Sequence, residues 1–237
     1  MSHPTPTVLV PIDVSSTEAV DTELLEFLSP TRVVLLGWHP VPDQTATNQM
    51  RAQRGDEAVA VIESIATDLP EEMDVETTVV FTHDRKQTID RIAEQFGCDV
   101  LLVPDGAGHM ERVFVPIRSD INLPKILPIA SVLMQTDAAS CTLFHATPEK
   151  REDTEAGDVL LQEAAESLVE LGVDPEQINT NHVVSDRPID KLVNIAQNHD
   201  LIIIGETEPS LVERILGDVP TRVIDESGRP VLVVRDV

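Results

Sequence analysis

The sequence predicts an α/β fold, a doubly wound parallel sheet made in two tandem copies, and two observations carry that reading. Short apolar runs alternate with helix-period segments along the chain, which is the pattern of buried strands joined by crossover helices. The alternation also repeats itself. Val8-Leu-Val-Pro-Ile-Asp13 returns as Val113-Phe-Val-Pro-Ile-Arg118, an offset of 105 residues. Ile89-Asp90, with Ile92, Ala93 and Phe96, leads into Asp99-Val-Leu-Leu-Val103. Ile189-Asp190, with Leu192, Val193 and Ala196, leads into Asp200-Leu-Ile-Ile-Ile204. Two anchors at nearly constant spacing identify a duplication.

Each copy reads the same way. The apolar runs 8–12 and 113–117 are first strands. A helix over 16–28 follows in the first copy, with Ser15 or Ser16 as its cap. Leu123 to Met134 is its counterpart, with Pro124 tolerated in the first turn. Arg32 to Leu36 and Cys141 to His145 are second strands. Ala58, Val61, Ile62, Ile65, Ala66 and Leu69 form one apolar helical face, as do Leu161, Ala165, Leu168 and Val169. Third strands (75–81; 178–184), third helices (86–96; 187–197) and fourth strands (100–104; 201–204) complete the common part. The second copy continues with a helix after Asp218, ending near Gly228, and a fifth strand from Pro230 to Val234. The first copy lacks that last helix and strand, so the expected domains are 1–108 and 109–237.

Composition narrows the function. Hydrophobic residues are 41% and aromatics 3% of the chain, so the core is built from Val, Ile, Leu and Ala. Forty-two acidic residues face 17 basic ones, a net charge of -25. Only Lys86, Lys125, Lys150 and Lys191 are lysines. Such a surface repels itself in dilute salt. At molar salt the screening length drops to about 3 Å and most of that cost disappears. The pattern resembles a haloarchaeal cytoplasmic protein. It excludes nucleic acid as a partner, because no basic stripe is present. No apolar window approaches a membrane span, and Met1 to Thr7 has no signal-peptide pattern.

Catalytic and metal-binding patterns are absent from the sequence. The seven histidines show no His-Glu-x-x-His spacing, and Cys98 and Cys141 stand in unrelated contexts. No Gly-x-Ser-x-Gly elbow or Walker loop occurs. The chain is therefore expected not to be an enzyme. His39 and His145, after the second strands, lie near the expected cleft as structural or solvent-facing residues. Trp38, followed by Pro40 and Pro42, is a core-rim residue or an interface anchor. The acidic segment 149–158 is a solvated connection.

The string Val-Leu-Val-Pro-Ile-Asp-x-Ser at the start resembles the first strand of universal stress proteins. So does Asp200-Leu-Ile-Ile-Ile-Gly205, continued by Gly217-Asp218 and Arg229-Pro-Val-Leu-Val-Val-Arg235. The resemblance implies the adenine-nucleotide α-hydrolase-like fold in both copies. Nucleotide-binding members carry Gly-x2-Gly-x9-Gly-(Ser or Thr) after strand four and an Asp at the end of strand one. That pattern maps the candidate site onto Pro11, Asp13, Gly205, Gly217 and Asp218, with ATP or AMP as ligand. Each copy departs from it. In the second, Glu208 replaces a glycine, Gly217 comes one residue early, Asp218 replaces the hydroxyl residue and Arg118 replaces the Asp. A carboxylate at that helix start, with Glu206 and Glu208, repels a phosphate. In the first, Asp13 is present but only Asp105-Gly106-Ala107-Gly108 remains of the loop. Arg118 faces an acidic neighbour or holds an anion, and Asp13 and Gly217 do not meet if each lies on its own sheet.

The resemblance implies a stress-response protein acting through a protein partner, its two copies packed as an intramolecular pseudo-dimer. A nucleotide-gated sensor and a regulator of an amino-acid transporter are the alternatives. Because the first copy lacks strand five, the edge Pro230 to Val234 is expected to be free and to form a homodimer.

Overall fold

The computed structural model describes residues 5–16, 20–106, 108–135, 139–149, 155–205 and 218–235. Among the described residues, nine strands form one continuous sheet in the order β3-β2-β1-β4-β9-β8-β5-β6-β7. The first half supplies β1 (Thr7–Asp13), α1 (Thr22–Phe27), β2 (Arg32–Pro40), α2 (Thr47–Asp68), β3 (Asp74–Thr82), α3 (Arg85–Phe96) and β4 (Val100–Val103). The second half supplies β5 (Arg112–Pro116), α4 (Leu123–Leu133), β6 (Ser140–Pro148), α5 (Glu155–Glu170), β7 (Ile178–Ser185), α6 (Pro188–Ala196), β8 (Leu201–Gly205), α7 (Asp218–Ser227) and β9 (Val231–Val234).

Within each half every described pairing is parallel. The exception joins the halves. β9 runs parallel to β8 on one side and antiparallel to β4 on the other, from Val100↔Val234 to Val103↔Val231. The C-terminal strand is therefore not a free edge, and the dimer expected through it has no unpaired backbone to use. β4 is the last strand of the first half, and β9 of the second half pairs with its edge within the same chain. The two halves share one sheet, so separate sheets are not what keeps their candidate residues apart.

Alternation of side chains divides the core. Val8, Val10 and Ile12 face one side, with Val113, Val115, Leu201, Leu232 and Val234 in the same cluster, so this core crosses the seam. The opposite face holds two clusters. Leu9, Val34 and Leu36 pack with Ile89, Ile92 and Ala93 of α3. Phe114, Ile202 and Val231 pack with Leu192 and Val193 of α6 and Val223 of α7. Strands covered on both faces explain why β1, β5, β8 and β9 read as unbroken apolar runs.

Local chemistry corrects several expected boundaries. α1 is shorter than 16–28, and its cap is Asp21, whose carboxylate accepts from Glu23 N at 2.9 Å. Ser15 is instead turned back onto Asp13. β2 and β6 run past their apolar stretches to Pro40 and Pro148, because β3 and β7 continue to pair with their polar tips. Of the acidic segment 149–158, residues 155–158 already belong to α5, and 150–154 lie outside the described residues.

The repeated aspartates make the same tie in both halves. Asp99 accepts from Thr7 N, while its own N–H bonds Thr7 O. Asp200 accepts from Arg112 N at 2.9 Å, and its N–H bonds Arg112 O at 2.8 Å. Each aspartate thus clamps the start of a fourth strand to the start of a first. Burial opposes the charge on Asp200, but the Arg112 guanidinium and the Glu111 and Arg112 N–H groups prevail and hold its carboxyl below the ordinary range.

Two outcomes are expected. Leu232→Ala, at a fully buried seam position, lowers stability by about 2–5 kcal/mol in denaturant unfolding at molar salt. Asp200→Asn destabilises by about 1–2 kcal/mol at neutral pH, a modest figure because Arg112 is half exposed. A depressed folded pKa gives stability that is present above the ordinary value of 3.8 and lost as pH falls through the lower folded value. The difference between Asp200→Asn and wild type therefore shrinks on acidification. A gap that persists in strong acid would contradict it.

Candidate functional sites at the two ends of the sheet

Ligands of doubly wound sheets bind beyond the carboxyl ends of the strands. The antiparallel seam puts those ends on opposite sides of the molecule. Asp13 ends β1 where β4 also ends, whereas Gly205 ends β8 level with Val234 and hence with the start of β4. Strand rise and spacing separate Asp13 from Gly205 by about 20 Å. There are two clefts, and the candidate residues divide between them.

The first cleft holds Pro11 and Asp13. Pro11 is buried within β1 opposite Leu36. Asp13 accepts from Ser15 N at 2.9 Å and from Ser15 Oγ at 2.6 Å, so one carboxylate oxygen is already engaged. The segment after β4 crosses the same end of the sheet on its way to β5. Gly106 N donates to Asp105 Oδ1 at 2.8 Å and Gly108 N to Asp21 Oδ2 at 2.7 Å. Gly106 takes φ +64°, and a Cβ there would meet Gly228 O of the second half. Its Nδ1 hydrogen-bonded to Glu23, His109 also lies beside Glu111; both carboxylates raise its pKa.

Chemically this is the reverse of a phosphate cradle. The amides that would face an anion donate to aspartates, and Asp13, Asp21, Glu23 and Asp105 add negative charge. A cavity of about 280 Å³ lies alongside, lined by residues that include His109, Arg112, Asp200 and Arg229. Its cations are engaged: Arg112 pairs with Asp200, and Arg229 donates to Gln197 O.

The second cleft holds Arg118 and Gly205. Arg118 follows β5, is exposed, and has no ion-pair partner among the described residues. Gly205 has a packing reason to be glycine, since a Cβ there would lie 2.9 Å from Ile126 Cδ1 and 3.2 Å from Asn122. Gly217, Glu206 and Glu208 lie outside the described residues. Asp218 is the first residue of α7. An open hollow of about 490 Å³ between Ser119–Asp120 and the start of α5 is lined by Asp120, Glu155, Glu163, Val159 and Leu160.

One polar group escaped the sequence reading. His182 on β7 lies between Asp158 Oδ1 and Thr147 Oγ1, at 2.9 Å each, with the His145 ring 5.6 Å away. Both rings lie beneath Gly157, where a side chain would collide with them. His145 Nδ1 also bonds Ile117 O at 2.8 Å, which fixes the ring as part of the core. His39 and His145 lie within β2 and β6 and are not counterparts: by register His145 matches Gly37, and His39 matches Thr147. The pairing of His182 with Asp158 has no local signature, because it depends on the β6–β7 register.

Trp38 is half buried at the end of β2, with the Arg85 guanidinium 5.0 Å from its ring centre. Burial pushes the Cys98 thiol up to about 11 and that of Cys141 to about 12, so neither is a nucleophile at neutral pH. No helix among the described residues is long and apolar enough to cross a membrane.

Residues 126–235 match the model of the universal stress protein family. A protein of unknown function from Pseudomonas aeruginosa PAO1 is similar over 98% of this chain and 92% of its own, at 16% identity and TM-score 0.60. A universal stress protein from Archaeoglobus fulgidus DSM 4304 is similar over 97% and 96%, at 14% identity and TM-score 0.57. These two likenesses show the fold across both halves. Another from Archaeoglobus fulgidus, solved in complex with dAMP, covers 53% of this chain and 98% of its own, at 18% identity and TM-score 0.43. Among curated proteins none matches. Residues 126–235 thus carry a domain of the universal stress protein family.

Proposed function

We propose that this chain is a non-catalytic universal stress protein that acts by binding a protein partner in the cytoplasm of a cell at molar salt. Its first cleft takes no nucleotide. The observation that carries this reading is the engagement of Gly106 N and Gly108 N by the carboxylates of Asp105 and Asp21. A phosphate entering there would have to displace two charge-assisted hydrogen bonds and then sit among carboxylates. Nothing among the described residues assembles a nucleophile, a base and an oxyanion site. The family is regarded as one of non-catalytic stress proteins, in keeping with this.

A second reading rests on Arg118. An exposed guanidinium without an ion-pair partner among the described residues, at the carboxyl end of β5, suits an anion. On this reading the second half is an adenine-nucleotide sensor. Acidic Asp120, Glu155 and Glu163 beside it weigh against a polyphosphate.

Titration calorimetry of ATP and AMP in multi-molar KCl separates the readings. The expected result is no heat at millimolar nucleotide. Micromolar binding abolished by Asp13→Ala would overturn the account of the first cleft. Micromolar binding that survives Asp13→Ala and is lost with Arg118→Ala would instead make the second half a sensor.

A further inference from the structure

We propose that β7 is the surface through which two copies of this chain pair, antiparallel and across a two-fold axis. With β9 enclosed, the continuous sheet ends at β3 on one side and β7 on the other. Exposed edges are normally guarded by charge, proline or shortness. β3 is guarded, since Asp74 and Glu76 lie on it and Arg32 pairs with both. β7 is not.

Its eight residues, Ile-Asn-Thr-Asn-His-Val-Val-Ser, contain no Asp, Glu, Lys, Arg or Pro, in a chain of which a quarter is charged. Asn179, Thr180 and Val184 are exposed on it, and eight residues is long for an unprotected edge.

The occupant follows from charge and symmetry. Two chains of net charge -25 approach at least cost where the surface is neutral, and β7 is such a strip. Pairing β7 with a copy of itself is self-complementary and closes after two subunits. Pairing it with β3 of another copy would build an open array and would bring Asp74 and Glu76 into the contact. The chain already uses the same device internally, where β4 and β9 join two half-sheets antiparallel. Glu176 and Asp186 flank the strand, and in an antiparallel pair Glu176 of one copy would approach Asp186 of the other, so association strengthens as salt screens them. An edge pair alone buries less than a standard interface of about 1,200 Å², so the dimer is concentration-dependent.

Sedimentation across protein concentrations in multi-molar KCl tests this independently of any nucleotide. Wild type should pass from monomer to dimer as concentration rises, and do so earlier with more KCl. The double variant Thr180→Lys/Val184→Lys should stay monomeric, with unchanged circular dichroism and melting. Should it melt lower, the exposed Asn179→Lys alone gives the same reading. Thr77→Lys, exposed on β3, should leave association intact. Wild type that is monomeric throughout would overturn the proposal and leave β7 to an extended segment of another protein. So would a dimer that survives the β7 substitutions, or one lost equally with Thr77→Lys.

Discussion

The architecture depends on four residues pairing with four. Val231 to Val234 of β9 meet Val103 to Val100 of β4 in antiparallel register, and that contact makes one sheet of two half-sheets. A parallel strand in the place of β9 would have set both sets of carboxyl ends on one side of the molecule. The antiparallel contact sends them to opposite sides. It also lets a single apolar cluster run beneath α1, α2, α4 and α5 across the seam. The other face keeps two clusters, because among the described residues the first half has no helix equivalent to α7 to bridge them.

The two halves follow one order of elements, but they fill matching positions differently. At matching positions β2 has Gly37 and β6 has His145. A Cβ at Gly37 would collide with Ile62 of α2, whereas a Cβ at Gly157 of α5 would collide with His145 and His182. In the first half the strand yields space and the helix fills it. In the second the helix yields space and two imidazoles fill it, one of them satisfied by Asp158 and Thr147. Close-packed interiors tolerate such exchanges when the volume is kept.

Much of the fold was legible in the sequence for a physical reason. Strands buried on both faces must be apolar throughout, so β1, β5, β8 and β9 announce themselves, and the repeat confirmed their order. What failed was whatever depends on which of several possible partners a group takes, near or far along the chain. Val231 to Val234 has the same composition whether one or both of its edges are paired, so the seam left no trace. Ser15 and Ser16 are good capping residues, yet Asp21 caps α1 and Ser15 serves Asp13. The site was half legible. Its missing glycines were visible, but the use of Asp21 and Asp105 to engage the amides that remain required the fold.

The short passage from β4 to β5 and the state of the first cleft are linked. The first half contributes β4 as its last strand, and β4 leads to β5 through residues 104–111. That path starts at the carboxyl end of β4, where a phosphate loop would begin and turn into a helix. Because β5 starts at the same end of the molecule, the connection crosses the cleft without leaving it, held by Asp21 and Glu23 of the α1 region and pressed by Gly106 against Gly228. The direct connection from β4 to β5 therefore leaves the edge of β4 to β9 and also lies over the cleft. Adding glycines to that connector would not build a nucleotide site, because among the described residues no helix follows β4 to hold the phosphate at its N-terminus.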